Sequence, residues 1–201
     1  MTRAAVSLVV EGATDAVVAK RLLEEVGLQA GPEYVCGGKA TLDQRLAGFN
    51  NAARFSCWLV LRDLDRDAAC APELRQRLLP SPAPHMRLHI SVRAVEAWLL
   101  ADADGVRDVL RVRGAMISSH PDELDDPKRH LLDLARRSRR RPIREAMLPA
   151  PGSTARVGRG YATTLIEFAT SRWRPDVAAG RSASLARLLA FLRRVSQGCA
   201  H

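Results

Sequence analysis

The chain has 201 residues, of which 47% are hydrophobic and 4% aromatic, and carries a formal net charge of +9. That length supports one sizeable domain, or a domain with a small extension. The few aromatics argue against recognition by rows of stacked rings, and no run reaches the roughly 18 apolar residues of a membrane helix. The charge is uneven: up to Val106 there are 12 Lys and Arg against 13 Asp and Glu, and from Arg107 onward 19 against 9. A basic second half suits a polyanionic partner such as nucleic acid.

Residues 4–10 form a short valine-rich run that predicts a buried strand. It runs directly into Glu11, which argues against a secretory signal. A helix is expected over residues 15–26, with Thr14 as N-cap and Gly27 past its end. Gly12 is expected to let the backbone turn tightly. Residues 33–36 read as a weak strand closed by Gly37 and Gly38. Thr41-Leu42-Asp43-Gln44 matches a capping box and opens a helix to about Ala53. "SCWLVL", residues 56–61, is a second buried strand, and Pro72 suits the first turn of a helix to Leu79. Residues 86–92 are bounded like a strand, and residues 94–102 resume helical spacing.

Strand and helix therefore alternate, which predicts an α/β domain: a Rossmann-like parallel sheet flanked by helices, over residues 1–106. Ligand sites in such sheets lie at the carboxyl ends of the strands. Glu11, Asp63, Asp65 and Glu96 all follow predicted strands, so all are expected on one edge.

Residues 107–201 read as a basic, helical C-terminal extension packed on the sheet domain. A helix starts at Pro127 with Asp126 as N-cap, and a further helix covers residues 161–170. The clearest amphipathic stripe is Leu185, Leu188, Leu189, Leu192 and Val195. Arg136, Arg137, Arg139, Arg140, Arg141 and Arg144 crowd together with no apolar face to bury. They are the expected partners of nucleic-acid phosphates. The four cysteines, Cys36, Cys57, Cys70 and Cys199, form no CxxC pair and read as reduced thiols of a cytoplasmic protein.

"VLRDLDRD" carries the chemistry. Asp63 and Asp65 repel one another unless a cation lies between them. Hard oxygen ligands without His or Cys favour Mg2+ or Mn2+ over zinc. Glu11, from a different strand end, would complete the set. A solvated acidic loop explains Asp63-x-Asp65 alone, but not its pairing with Glu11-Gly12, because an unpaired charge beside a covered sheet is costly.

"LVVEGATDAVVAKRLL" followed by "WLVLRDLDRD" resembles the TOPRIM domain of topoisomerases, primases and several nucleases, over roughly residues 4–100. "VRAVEAWLLAD", "DPK" at residues 126–128, "GRGYATTLIEFATSRW" and "RSASL" resemble the small stand-alone relatives of OLD-type (overcoming lysogenization defect) TOPRIM nucleases. The resemblance implies divalent-metal phosphodiester hydrolysis of DNA or RNA, with Glu11, Asp63 and Asp65 as catalytic metal ligands. It implies Glu96 as an additional catalytic acid and ligand, and Lys128 as the lysine that stabilises the transition state. Asp67 and Asp102 stand behind these. It also implies a phage-defence effector acting with a separately encoded ATPase, since "GATDAVVAK" lacks a phosphate-binding loop. No tyrosine nucleophile arrangement or primase zinc module is present. A degenerate TOPRIM module that binds nucleic acid or a partner protein is the alternative. A DxD phosphatase fits less well, because its nucleophilic aspartate would follow the first strand, where Glu11 stands.

Overall fold

The computed structural model describes residues 5–198. The chain divides into two compact units, Met1–Val92 with Ala186–His201, and Arg93–Leu185. The division falls at residue 92/93 rather than at the expected 106/107, and residues from Ala186 onward group with the first unit.

The first unit is an α/β domain, as the strand–helix alternation predicts. β1 (Ala5–Val10), β2 (Gln29–Val35), β3 (Cys57–Asp63) and β4 (Met86–Ser91) form a parallel sheet in the order β2-β1-β3-β4. The crossovers carry α1 (Ala13–Glu25), α2 (Lys39–Ala52) and α3 (Ala71–Leu78). Strands β1 and β3 are apolar at nearly every position because helices cover both sheet faces. On one face Val9, Val60, Leu88 and Ile90 pack against Leu42, Leu46 and Phe49 of α2 and Leu74 of α3. The order reverses between β1 and β3: the chain leaves β1 for β2 on one side, then crosses to β3 on the other. A crevice at such a reversal is the usual ligand position in an open α/β sheet.

The second unit is helical: α4 (Val95–Ala101), α5 (Ala103–Leu110), α6 (Pro127–Arg136), α7 (Arg141–Met147), α8 (Tyr161–Ser171) and α9 (Pro175–Ala179). Trp98, Leu99, Leu131, Leu165 and Trp173 are buried. The last helix, α10 (Ala183–Gly198), begins in this unit.

Several local expectations are corrected. α1 starts at Ala13 rather than at residue 15: Gly12 is its N-cap, and the Asp15 carboxylate accepts from the Gly12 N–H at 2.7 Å. Gly12 itself is extended, with φ −140°, which any residue adopts. The glycines that the backbone requires here are Gly37 and Gly38, at φ +74° and +128°. α2 starts at Lys39 with Gly38 as its N-cap, so Thr41 lies inside the helix and caps nothing. The cause is the turn before it: the Gly37 and Gly38 N–H groups bond the end of β1, and the helix begins directly after. The helix from Pro127 breaks after Arg136 and restarts at Arg141, with Pro142 in its first turn. Cys36, Cys57 and Cys70 form no disulfide among the described residues; Ala4 and Cys199 lie outside them. Among the described residues no helix is long and apolar enough to cross a membrane.

Candidate functional site

β1 ends at Val10, so Glu11 is the first residue beyond the sheet. Its carbonyl accepts from the N–H groups of Gly37 (2.9 Å) and Gly38 (3.0 Å), which ties the β2–α2 loop to the end of β1. Its side chain turns to the neighbouring strand: Oε1 accepts from the backbone N–H of Asp63 at 2.9 Å. The sheet thus sets two acids from separate strands side by side. Ser91, at the end of β4, donates to Asp63 Oδ1 at 2.5 Å. Asp65 sits in the left-handed region, φ +47°, a conformation that aspartate tolerates better than most residues.

Two cations organise these acids. Arg62 lies in β3 and is 2% exposed. Its Nε and Nη2 reach Asp43 at 3.2 and 3.1 Å, Nη2 also reaches Asp67 at 2.6 Å, and Nε lies 3.7 Å from Glu11. Its Nη1 donates to the Asp63 carbonyl. Lys39, at the start of α2, donates at 2.9 Å to both Asp65 and Asp67. Arg77 caps the loop by donating to the Asp67 carbonyl at 2.8 Å.

Burial pushes the Glu11 carboxyl above its ordinary range, and repulsion from Asp65 adds to this. The Asp63 N–H and the charges of Arg62 and Lys39 act the other way without cancelling it. Asp67 is opposite: burial would raise it, but hydrogen bonds from Lys39 and Arg62 hold it below the usual carboxylate range. Over the groups that these bonds link, Glu11, Asp43, Asp63, Asp65 and Asp67 face Arg62, Lys39 and Arg77. Arg62 and Lys39 are in direct contact with carboxylates of this group, whereas Arg77 touches only the Asp67 backbone.

The donor chemistry suits a hard divalent cation. Lys39 is a counter-ion of Asp65 and Asp67. Among the described residues no group of three or more Asp, Glu, His or Cys side chains is arranged as a ligand set. The structure therefore brings Glu11 and Asp63 together at one sheet edge, with Asp65 in the loop that follows, as their positions after separate strands predict. It adds Lys39, Arg62, Asp43 and Asp67 around them. One signal for Arg62 was in the sequence: an arginine directly after the apolar run "WLVL" and still within the strand.

Glu96 and Lys128 come together in the second unit. Glu96, in the first turn of α4, is 8% exposed. Tyr161 donates to its Oε1 at 3.3 Å, and Lys128 Nζ lies 4.0 Å from it and 5.5 Å from the centre of the Tyr161 ring. Burial, then the negative charge of Glu96, pushes the Tyr161 hydroxyl far above its ordinary range. Asp126 caps α6 by accepting from Arg129 N–H at 2.8 Å, which sets Lys128 in the first turn.

Other parts of these motifs are architectural. Asp102, fully buried, accepts from Gly105 N–H at 3.1 Å and from Arg174 N–H and Nε at 3.0 and 3.1 Å, which commits it to structure. In "RSASL", Ser182 Oγ and Ser184 N–H both donate to Asp122, at 2.7 and 3.0 Å. In "GRGY", Gly158 N–H donates to the Met147 carbonyl at 2.8 Å. A Cβ on Gly158 would lie 2.5 Å from the Leu148 carbonyl oxygen and closer still to that of Ala146. Backbone cannot yield as the end of a side chain can. Gly158→Ala is therefore expected to cost about 3 kcal/mol or more, read as a lower midpoint in urea unfolding.

The arginine cluster divides by exposure. Arg136, Arg137, Arg139, Arg140 and Arg141 all reach solvent, whereas Arg144 is half-buried and donates to the Ser138 carbonyl at 2.5 Å, holding the turn between α6 and α7. Arg136 pairs with Asp133, and Arg141 with Glu145 at 2.7 Å; exposed pairs of this kind are weak and open readily.

Comparison of the chain with family models, with curated proteins and with solved structures returns no match.

Proposed function

We propose that the chain is a divalent-metal-dependent nuclease of the TOPRIM type. The observation that carries this reading is the carboxylate edge at the β1/β3 reversal, where the Asp63 N–H holds Glu11 at 2.9 Å and Asp65 follows in the next loop. Glu11, Asp63 and Asp65 would hold Mg2+ or Mn2+. When bound, the metal would supply Lewis-acid polarisation of a phosphoryl oxygen and a water acidic enough to attack at neutral pH.

The chain's own residues prepare the edge. The Asp63 N–H fixes Oε1 of Glu11 and leaves Oε2 for a metal. Ser91 fixes one oxygen of Asp63. Arg62 keeps the three acids it pairs with from repelling one another. Lys39 balances Asp65 and Asp67, and is a second cation available to a substrate phosphate. The motif resemblance assigns Glu96 as an additional acid and Lys128 as the charge-stabilising lysine; within the second unit they lie 4.0 Å apart, which supports assigning them together. A cytoplasmic phage-defence role with an ATPase partner belongs to the same reading and rests on the motif resemblance.

The test is cleavage of plasmid DNA and of RNA by the purified chain in Mg2+ and in Mn2+, against the same reaction in chelator. Absence of metal-dependent cleavage, with no Mn2+ bound in solution, would sink the reading. The alternative is a silent module that binds nucleic acid or a partner. What favours it is that Lys39 and Arg62 already neutralise much of the acidic loop.

Exposed arginines on both sides of the α6–α7 turn supply the backbone contacts in either reading. Replacing Arg139, Arg140 and Arg141 together with alanine is expected to weaken duplex binding. It should also flatten the dependence of log K on log salt, by up to about 0.9 for each phosphate no longer neutralised. An unchanged slope in fluorescence-anisotropy titrations would place the nucleic-acid surface elsewhere.

A further inference from the structure

The acidic edge has a counterpart at the other end of the same sheet. At the amino ends of β1, β3 and β4, the later turns of α10 leave a half-open cleft of about 290 Å³. Val6, Leu59, Met86, Phe191, Leu192 and Val195 form its apolar lining. Arg87, in β4, also lines it.

Arg87 is unlike the surface arginines. Its guanidinium lies over the Phe191 ring, 4.3 Å from the centroid, and its Nε is shut off from water with no hydrogen-bond acceptor among the described residues. Burial, then repulsion from Arg75 and Arg194, holds it below its ordinary range, and no carboxylate acts against them. His89, on the same face of β4, reports the same field: burial, then Arg87, Arg187 and Arg75, push it down to about 3. A cation held in an apolar cleft among other cations is costly unless an anion joins it.

We propose that this cleft binds a small amphipathic anion, an aliphatic chain ending in a carboxylate, with the chain against the apolar lining and the carboxylate on Arg87. A planar guanidinium presents a fork that matches a carboxylate. The lining offers few polar groups, so a nucleobase would give up hydrogen bonds to water without replacement. The volume is at the lower limit for a small-molecule site and fits a chain of modest length. The proposal does not rest on the nuclease reading.

The test is calorimetric titration of the full chain with octanoate, octanol, octylamine and inorganic phosphate. Octanoate is expected to bind saturably, octanol at least tenfold more weakly, and octylamine and phosphate not measurably. Arg87→Met keeps the apolar stem and should weaken octanoate at least tenfold while leaving octanol unchanged or tighter. Val195→Trp should fill the cleft and abolish both. Silence with octanoate, or equal affinity for octanoate and octanol, overturns the proposal on the unaltered protein, whatever the variants' folding. A short single-stranded oligonucleotide that displaces octanoate and needs Arg87 would reassign the cleft to nucleic acid and overturn it too.

Discussion

Glu11→Gln is expected to abolish metal-dependent cleavage, lowering the rate by about 10²–10⁴-fold, the equivalent of the several kcal/mol that a metal-held transition state is worth. The fold should survive. The glutamine carbonyl can still accept from the Asp63 N–H, which lies 2.9 Å from Oε1 of Glu11. The electrostatics favour the variant at neutral pH. Glu11 has a raised pKa because burial penalises its charge. A carboxyl of that kind stabilises the fold while protonated, below its ordinary value of about 4.3, and that contribution fades as pH rises through the raised folded value. Glutamine does not ionise. The variant should therefore match the wild type near pH 4 and equal or exceed it in stability at pH 7. Chemical denaturation at the two pH values measures this in metal-free buffer. A variant that is markedly unstable without metal yet cleaves normally would make Glu11 a structural strand-end residue.

Arg62→Met should produce the largest stability loss at the acidic edge, about 3 kcal/mol. Methionine fills the space of the stem but leaves Asp43, Asp67 and Glu11 without their shared partner. The value lies at the low end of the range for broken buried pairs because those three carboxylates are 16–26% exposed and regain some hydration. Asp67 supplies a second readout. Its lowered pKa means that it stabilises the fold above the ordinary carboxylate value of about 4, and that this contribution disappears as pH falls through the folded value. With Arg62 gone only Lys39 remains to depress it, so the acid limb of the stability curve should become shallower. Mg2+ should restore part of the stability if the freed carboxylates hold it, and none if they do not. Arg62→Lys keeps the charge but not the fork, and is expected to fall between methionine and wild type.

Much of the first unit is legible from residue order. Continuous valine and leucine runs mark β1 and β3 because a strand covered on both faces has no polar side. The helices between them force parallel pairing, and parallel pairing puts every strand's carboxyl end on one edge. Glu11 and Asp63 can be placed on one edge from that reasoning alone; that they are neighbours follows from the strand order β2-β1-β3-β4. The cap of α6 is equally readable, since Asp126-Pro127 satisfies the first helical N–H groups locally.

Tertiary structure decides the partners chosen across the fold. Thr41-x-x-Gln44 has the local pattern of a helix start, yet the Gly37-Gly38 turn is bonded to the Glu11 carbonyl and opens α2 earlier, at Lys39. The same turn sets Lys39 between Asp65 and Asp67, which no local pattern around Lys39 announces. Asp43 is drawn to Arg62, nineteen positions on, which only the α2–β3 packing brings within 3.2 Å. Arg144 belongs by sequence to the arginine cluster, but the break before Pro142 turns it onto the Ser138 carbonyl. Local pattern determines which segments are strands and helices, because burial periodicity and backbone capping act over a few residues. Which charge neutralises which is decided by tertiary packing, because desolvation favours pairing a buried charge with whatever counter-charge the fold delivers, whatever its distance along the chain.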